Sequence, residues 1–169
     1  MPETDCKKCQ QVRKEVVPEV GGILFEDDLW IVVHKGAPIG VAGHLQLVSK
    51  RHYQGPAHMT DAEASHLGLM LRHCEAILAQ VSGASAVYTA ALGASTPHFH
   101  CHMVPKHEGG PSAWAVFDQE RLASEGSVVV DIDKCAFIAE AFKAAMVATP
   151  PPPCPAVTNR AGTDGELYT

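Results

Sequence analysis

The chain has 169 residues, which is enough for one domain with a sizeable core but too few for two comfortable ones. Hydrophobic residues make up 46% of the sequence and charged residues 19%, a balance typical of folded globular proteins rather than disordered ones. The net charge of −6 argues against a general nucleic-acid surface, so any phosphate-binding site has to be a local basic pocket.

The N-terminal stretch MPETDCKKCQ combines charged residues with a pair of cysteines. It has no apolar region of the kind that secretory signals need, and no later run reaches the length of a membrane span. We therefore expect a cytoplasmic protein with reduced cysteines and no membrane partner. Cys6-x-x-Cys9 is then a metal or redox candidate, with two unpaired thiols as the simpler alternative.

Three short β-rich runs follow this segment. Residues 23–26 and 29–34 are separated by Asp27-Asp28, which predicts a β-hairpin. A glycine- and proline-rich loop comes next, and residues 44–49 form the third strand. In that strand Leu45 and Leu47 share one face, while His44 and Gln46 share the other.

A long helix is predicted from Thr60, which forms a capping-box signature with Glu63, to a C-terminal Gly83. Its apolar stripe consists of Leu67, Leu71, Cys74, Leu78 and Val81. His66 and His73 lie off this stripe, so we expect both to be solvated.

The second half of the chain contains two more strands, at 87–90 and at the histidine-rich stretch from 98 to 104, which should pair as antiparallel neighbours. Residues 127–130 are a further strand candidate. Asp131 or Asp133 caps a second helix. The buried side of that helix is predicted to hold Cys135, Ile138, Phe142 and Met146. From Thr149 the proline-rich tail is expected to be disordered, with Cys154 an exposed thiol without a partner.

The histidine-rich stretch HFHCHMV carries the strongest chemical signal in the sequence. On a strand, His98, His100 and His102 share one face, and the apolar residues between them share the other. This pattern predicts one wet face and one core face. Three imidazoles placed in this way indicate a metal site, a catalytic site or both.

Together these elements predict an α+β domain over residues 1–148, with an N-terminal segment 1–22 and a disordered tail 149–169. The domain consists of an antiparallel sheet of about five strands with one long helix packed on it, followed by a C-terminal helix. Trp30 and Trp114 are candidates for aromatic residues at an interface between subunits.

The run IVVHKGAPIGVAGHLQLVSKRHYQ and the later HFHCHMVPK resemble the histidine triad (HIT) superfamily. The Cys6 and Cys9 pair makes the chain similar to the zinc-bearing branch of that superfamily. This resemblance implies a HIT-like fold, a homodimer and a structural Zn²⁺. It assigns the zinc ligands as Cys6, Cys9, His52 and His98.

The resemblance also implies an active site for purine nucleotide conjugates, such as dinucleoside polyphosphates or nucleoside phosphoramidates. His100 takes the role of nucleophile toward the α-phosphorus, and a hydrogen bond from its other nitrogen to a backbone carbonyl would fix its tautomer. His102 would donate to the phosphate oxygens. His44 and Ser95 are the expected substrate-binding residues.

Three functions remain open at this point. The first is a hydrolase with a nucleotidyl-histidine intermediate, or a nucleotidyltransferase using the same chemistry. The second is a zinc-stabilised nucleotide-binding module with weak or lost catalysis, suggested by Ala94 where many relatives have Gln and by the lack of Asn at 88–90. The third is a metalloenzyme with two triad histidines as ligands, which would leave Cys6, Cys9 and His52 without a role.

Overall fold

Five antiparallel strands form one sheet in the order β1-β2-β3-β5-β4. The computed structural model describes residues 3–37, 39, 41–93, 96–109, 112–126 and 130–154. The strands are β1 (Ile23–Glu26), β2 (Trp30–His34), β3 (Leu45–Ser49), β4 (Ala86–Ala90) and β5 (His100–Lys106). The predicted α+β class, the β1–β2 hairpin and the antiparallel β4–β5 pair are confirmed.

Two long helices pack against this sheet and against each other. The helices are α1 (Lys7–Val12), α2 (Asp61–Ser82), α3 (Ala113–Ser124) and α4 (Ile132–Ala148). Helix α2 begins at the predicted capping box of Thr60 and Glu63 and ends at Gly83, whose φ of 67° is left-handed. Helix α4 begins at Asp131, whose side chain accepts a hydrogen bond from the backbone N–H of Lys134.

Helix α3 was not predicted, and most of the strand candidate at 127–130 falls on residues that the structure does not describe. Residues 127–129 lie outside the described part of the chain, and Val130 is not in a strand. Helix α3 begins after Ser112, and its apolar residues are concentrated in its first half, so they give only a weak stripe along the helix.

The main core lies between one face of the sheet and helices α2 and α4. Strand residues from this face include Trp30, Val32, Leu45, Leu47, Cys101 and Met103. All four residues predicted for the buried side of α4 are buried, which confirms that stripe.

The predicted stripe of α2 is only partly correct. Cys74 and Leu78 are buried, but Leu67 is half-buried, whereas Met70 and His66 are fully buried. The prediction that His66 is solvated is therefore wrong. The reason is tertiary: the chain that follows α4 lies over this side of α2, and the backbone carbonyl of Pro152 accepts a hydrogen bond from His66 Nε2 at 3.0 Å.

The opposite face of the sheet carries the histidines, and it is largely shielded from solvent. His100 is only 6% exposed and His102 only 8% exposed, so the expected alternation is present but the polar face is covered. Ile31, Val33 and Val48 form a small apolar cluster on the same face, against which Val12 of α1 packs. The N-terminal segment thus covers the face that strand periodicity alone left open to solvent.

The two tryptophans differ sharply in exposure. Trp30 is completely buried in the core, so it is not an interface residue, whereas Trp114 is 84% exposed.

Within the described part of the chain, none of the helices has both the length and the apolar character needed to span a bilayer.

Candidate active site and metal centre

The register between β3 and β5 brings the candidate catalytic residues together. These strands pair antiparallel with Gln46 opposite His102 and Val48 opposite His100. The rings of His100 and His102 lie 4.9 Å apart between centroids, and His44 lies just before β3 with its ring 5.0 Å from His102. Three of the predicted site residues therefore share one location, while Ser95 lies outside the described residues.

The tautomer of His100 is determined by the backbone. His100 Nδ1 lies 2.7 Å from the carbonyl oxygen of His98, and a carbonyl can only accept a hydrogen bond. Nδ1 of the neutral ring therefore carries the proton, and Nε2 carries the lone pair. This is the backbone hydrogen bond expected if His100 has the role that the resemblance implies.

The tautomer of His102 follows from a chain of hydrogen bonds that begins at α1. Lys8 Nζ donates to Gln46 Oε1 at 2.5 Å, which turns the amide nitrogen of Gln46 toward His102. Gln46 Nε2 lies 3.4 Å from His102 Nδ1, and His44 Nε2 lies 2.8 Å from the same atom. Because the amide nitrogen can only donate, Nδ1 accepts and His102 Nε2 carries the proton.

Phe117 packs against His44 and His102, and His34 holds the loop that precedes His44. The ring of Phe117 from α3 stands edge-on to His44 and His102, at 6.5 and 6.4 Å between centroids. His34 is buried at the other end of the loop that precedes His44, where its Nε2 accepts from the backbone N–H of Gly43 at 3.1 Å. Burial lowers the pKa of His34, with the neighbouring charges of His44 and Lys35 adding to the effect.

A cavity of about 550 Å³ opens beside these residues. Its walls include His100, His102, Gln46, Thr96, Phe117, three lysines (Lys7, Lys8, Lys35) and one acidic residue, Glu19. The excess of lysines gives an acidic protein the local basic pocket that phosphate binding requires. Two of the lysines come from α1, so the N-terminal segment forms part of this wall.

All four predicted zinc ligands meet in a second cluster, which we call the zinc cluster: Cys6, Cys9, His52 and His98. Their ligand atoms all lie within 4.8 Å of one another. His98 Nδ1 lies 3.5 Å from Cys6 Sγ and 3.3 Å from Cys9 Sγ. His52 Nδ1 lies 3.2 Å from both Cys9 Sγ and His98 Nδ1. Ligand atoms of a tetrahedral Cys₂His₂ zinc ion are about 3.3 to 3.8 Å apart, depending on whether the pair is nitrogen or sulfur, so the donor set fits a closed site.

The orientation of His98 supports metal binding independently of these distances. Its Nε2 donates to the carbonyl oxygen of Ser49 at 2.7 Å, which leaves the lone pair on Nδ1 directed at the cysteines. Burial lowers the pKa of His98 to about 4, partly offset by that hydrogen bond. Burial, followed by the neighbouring Cys6, raises the pKa of the Cys9 thiol to about 12.

An ion pair between the exposed Arg51 and the buried Glu63 positions the loop that carries His52. Arg51 Nη2 lies 2.6 Å from Glu63 Oε2, and the same carboxylate accepts from the backbone N–H of Thr60 at 2.7 Å. The guanidinium also stacks 4.4 Å above the Tyr53 ring. The capping box of α2 thereby anchors the residues on both sides of His52.

Sequence reasoning missed three residues of the site. Gln46 was placed on the same face as His44 but received no role, although its two-residue spacing from His44 was a usable signal. Lys8 and Phe117 lie far from the histidines in sequence and reach them only through the packing of α1 and α3 on the sheet.

Comparisons with known proteins identify the family and the fold. The model of the HIT domain family matches residues 19–109, more than half of the chain. A HIT-like protein from Bartonella henselae, described as involved in cell-cycle regulation, superposes with a TM-score of 0.62 at 15% identity, covering 84% of this chain and 97% of its own. A zinc-bound histidine triad protein from Mycobacterium smegmatis gives a TM-score of 0.61 at 13% identity, covering 87% and 99%.

A third structure, a hypothetical histidine triad nucleotide-binding protein from Sulfolobus tokodaii, gives a TM-score of 0.57 at 14% identity, covering 83% of this chain and 94% of its own. At these identities the structural matches establish the HIT-like fold. Comparison with curated protein sequences finds no match. The family match, the fold and the histidine arrangement together establish that this chain belongs to the HIT domain family.

Proposed function

We propose that the protein is a nucleotide-binding hydrolase that acts at the α-phosphate of purine nucleotide conjugates through a nucleotidyl-histidine intermediate on His100. The observation that carries this proposal is the hydrogen bond from His100 Nδ1 to the His98 carbonyl, because it puts the lone pair on Nε2. The cavity beside His100 supplies a basic wall for the phosphates.

In the first step His100 Nε2 attacks the α-phosphorus and the bond from phosphorus to the leaving group breaks. The leaving group departs with the bonding electron pair and takes up a proton from solvent, and the water that attacks in the second step returns one proton to solvent. His102 Nε2–H donates to the phosphate oxygens, on which charge develops. In the second step water attacks phosphorus, the P–N bond to His100 breaks, and the nucleoside monophosphate is released.

The zinc cluster has a structural role in this proposal. A bound Zn²⁺ would be held by Cys6, Cys9, His52 and His98, and the four-ligand set leaves no open position for water activation. The cluster joins α1 to His98, whose carbonyl in turn orients His100. Ligand residues and catalytic residues are therefore different groups, in contrast to the metalloenzyme alternative.

The test is an intact-mass measurement after rapid quenching of the full chain with adenosine or guanosine phosphoramidate. We expect an added nucleoside monophosphate on the wild type and none on His100→Ala, with zinc content unchanged. His58→Ala, an exposed histidine outside both clusters, is the matched control and should behave like the wild type. A wild type that never forms the adduct favours the binding-module alternative, and loss of zinc in His100→Ala favours the metalloenzyme.

The same experiment separates hydrolase from transferase if the adduct is isolated and given either water or a sugar phosphate. Turnover by water alone supports the hydrolase, and release only with the sugar phosphate supports a nucleotidyltransferase. We also propose that the protein is a homodimer, which light scattering on the purified chain would test. The exposed Trp114 is the residue to replace if a dimer is found.

A further inference from the structure

A second group of metal-ligating side chains lies far from the zinc cluster in sequence and involves residues with no role in the proposed reaction. It consists of Asp27 in the β1–β2 turn, His66 on α2 and Cys154 in the segment after α4, and we call it the tail cluster. The ligand atoms of the three residues lie within 4.8 Å of one another. His66 is completely buried, and the Asp27 side chain is only 17% exposed.

His66 is oriented as a metal ligand would be. Its Nε2 lies 3.0 Å from the carbonyl oxygen of Pro152, so Nε2 carries the proton of the neutral ring and Nδ1 carries the lone pair. Nδ1 lies 3.7 Å from Cys154 Sγ and 4.0 Å from Asp27 Oδ2. Metal-bound histidines commonly donate their other nitrogen to a backbone carbonyl in this way.

The zinc cluster provides an internal comparison. There His98 donates Nε2–H to the Ser49 carbonyl and directs Nδ1 at Cys6 and Cys9. His66 repeats the arrangement with a carbonyl behind the ring and a cysteine in front of it.

The carboxylate of Asp27 has only one of its two oxygens well hydrogen-bonded, so a cation or a proton could be accommodated at the other. Its Oδ1 accepts from the backbone N–H groups of Leu29 and Trp30 at 2.8 and 2.7 Å. Its Oδ2 is buried and makes no well-formed hydrogen bond with the described residues; the Cys154 thiol is the neighbouring donor. The Cys154 thiol has one proton to share between two acceptors, and 4.0 Å is too long for a hydrogen bond from a protonated His66 to Oδ2. A buried carboxylate oxygen left in this state is costly.

We propose that Asp27 Oδ2, His66 Nδ1 and Cys154 Sγ bind a second divalent cation of the zinc type, which fastens the segment after α4 to α2. Sulfur, imidazole and carboxylate ligands together favour Zn²⁺ over Mg²⁺ or Ca²⁺, which prefer oxygen ligands. In a tetrahedral site sulfur and nitrogen lie about 3.6 Å apart, close to the observed separation, while the carboxylate has to approach by roughly 0.7 Å. Water completes the fourth position, as in other sites with three protein ligands.

The segment is already attached to α2 at a second point, which explains how Cys154 reaches His66. His73, two turns along α2, donates Nε2–H to the carbonyl oxygen of Thr149 at 2.9 Å. Two histidines of α2 now hold this segment through its backbone carbonyls. A cation in the tail cluster would also hold it through the Cys154 side chain.

The experiment measures zinc per chain on the full-length reduced protein by mass spectrometry after gel filtration from excess Zn²⁺. We expect about two ions in the wild type and about one in either Cys154→Ser or Asp27→Asn. The second substitution keeps the Oδ1 that caps the β1–β2 turn, so it should fold normally. Cys135→Ala, a buried cysteine outside both clusters, is the control and should keep both ions.

Cobalt substitution tests the ligand set separately from the zinc cluster. With Cys6 and Cys9 both replaced by serine, bound Co²⁺ should still show a thiolate-to-metal absorption band, and adding Cys154→Ser should abolish it. The proposal is overturned if the wild type binds one ion that is lost with Cys9→Ser, or if Cys154→Ser and Asp27→Asn both keep two. Neither outcome bears on the adduct at His100, so the proposed function is tested independently.

Discussion

Replacing Lys8 by methionine tests how the N-terminal segment contributes to nucleotide binding. Lys8 lines the cavity beside His100 and His102, and its Nζ donates to Gln46 Oε1 at 2.5 Å. Methionine keeps most of the side-chain length and removes the charge. The substitution leaves all four residues of the zinc cluster in place, so zinc content should not change.

The expected magnitude follows from the loss of one charge-assisted hydrogen bond to phosphate. Such bonds contribute about 1.5 to 3 kcal/mol. This corresponds to a roughly 10- to 150-fold weaker dissociation constant for a nucleoside monophosphate. With Zn²⁺ bound in the zinc cluster as proposed, removing it with a chelator should weaken binding at least as much, because α1 has only six residues and helices that short do not persist unsupported.

Calorimetric titration with adenosine monophosphate measures this effect. Lys134→Met, an exposed lysine on α4, changes the net charge equally and should leave the affinity close to that of the wild type. The salt dependence of binding should be shallower for Lys8→Met than for Lys134→Met. Wild-type affinity in Lys8→Met, or an equal loss in both variants, would refute a direct contact between Lys8 and the phosphate.

Three further predictions concern stability and are checked by urea unfolding. Phe142→Ala leaves a cavity at a fully buried position on α4 and should lower the free energy of unfolding by about 3 to 5 kcal/mol. Phe137→Ala, at a residue of the same helix that is 68% exposed, should lower it by less than about 0.5 kcal/mol. Glu63→Gln removes the charge facing Arg51, which is 46% exposed, and should lower the free energy of unfolding by about 0.5 to 1.5 kcal/mol; no loss would mean that the pair adds nothing. Because burial lowers the pKa of His34, the unfolded chain takes up a proton that the folded chain resists, so stability should fall as the pH drops below about 6.5. His34→Gln should make that fall less steep, by up to about 1.4 kcal/mol per pH unit, and an unchanged slope would contradict the assignment.

Local patterns predicted most of the secondary structure because the signals act within a few residues. The capping box of Thr60 and Glu63 and the left-handed Gly83 mark the ends of α2, and the structure has both. Four of the five buried residues of α4 were also predicted; Ala139 was missed. Helix α3 has a weaker pattern, since it contributes little to the core between the sheet and α2.

The failures concern surfaces that distant parts of the chain cover. His66 was expected to be solvated because its own helix gives no sign of the segment that lies over it. Cys154 was expected to be an exposed thiol without a partner, and this prediction is wrong because that segment packs it near His66. The prediction that Trp30 lies at an interface was wrong for a related reason. Both faces of β2 are buried, and the sequence of one strand does not show this.

The sequence by itself determined the alternation of His100 and His102 with apolar residues, and resemblance to relatives pointed to the four residues of the zinc cluster. Only the tertiary structure decided which nitrogen of each histidine carries its proton, because that depends on the carbonyl or amide that each ring meets. It also brought Lys8 and Gln46 to His102 and Cys154 to His66. Strand register and helix packing make these contacts, and they join residues that no short-range pattern connects.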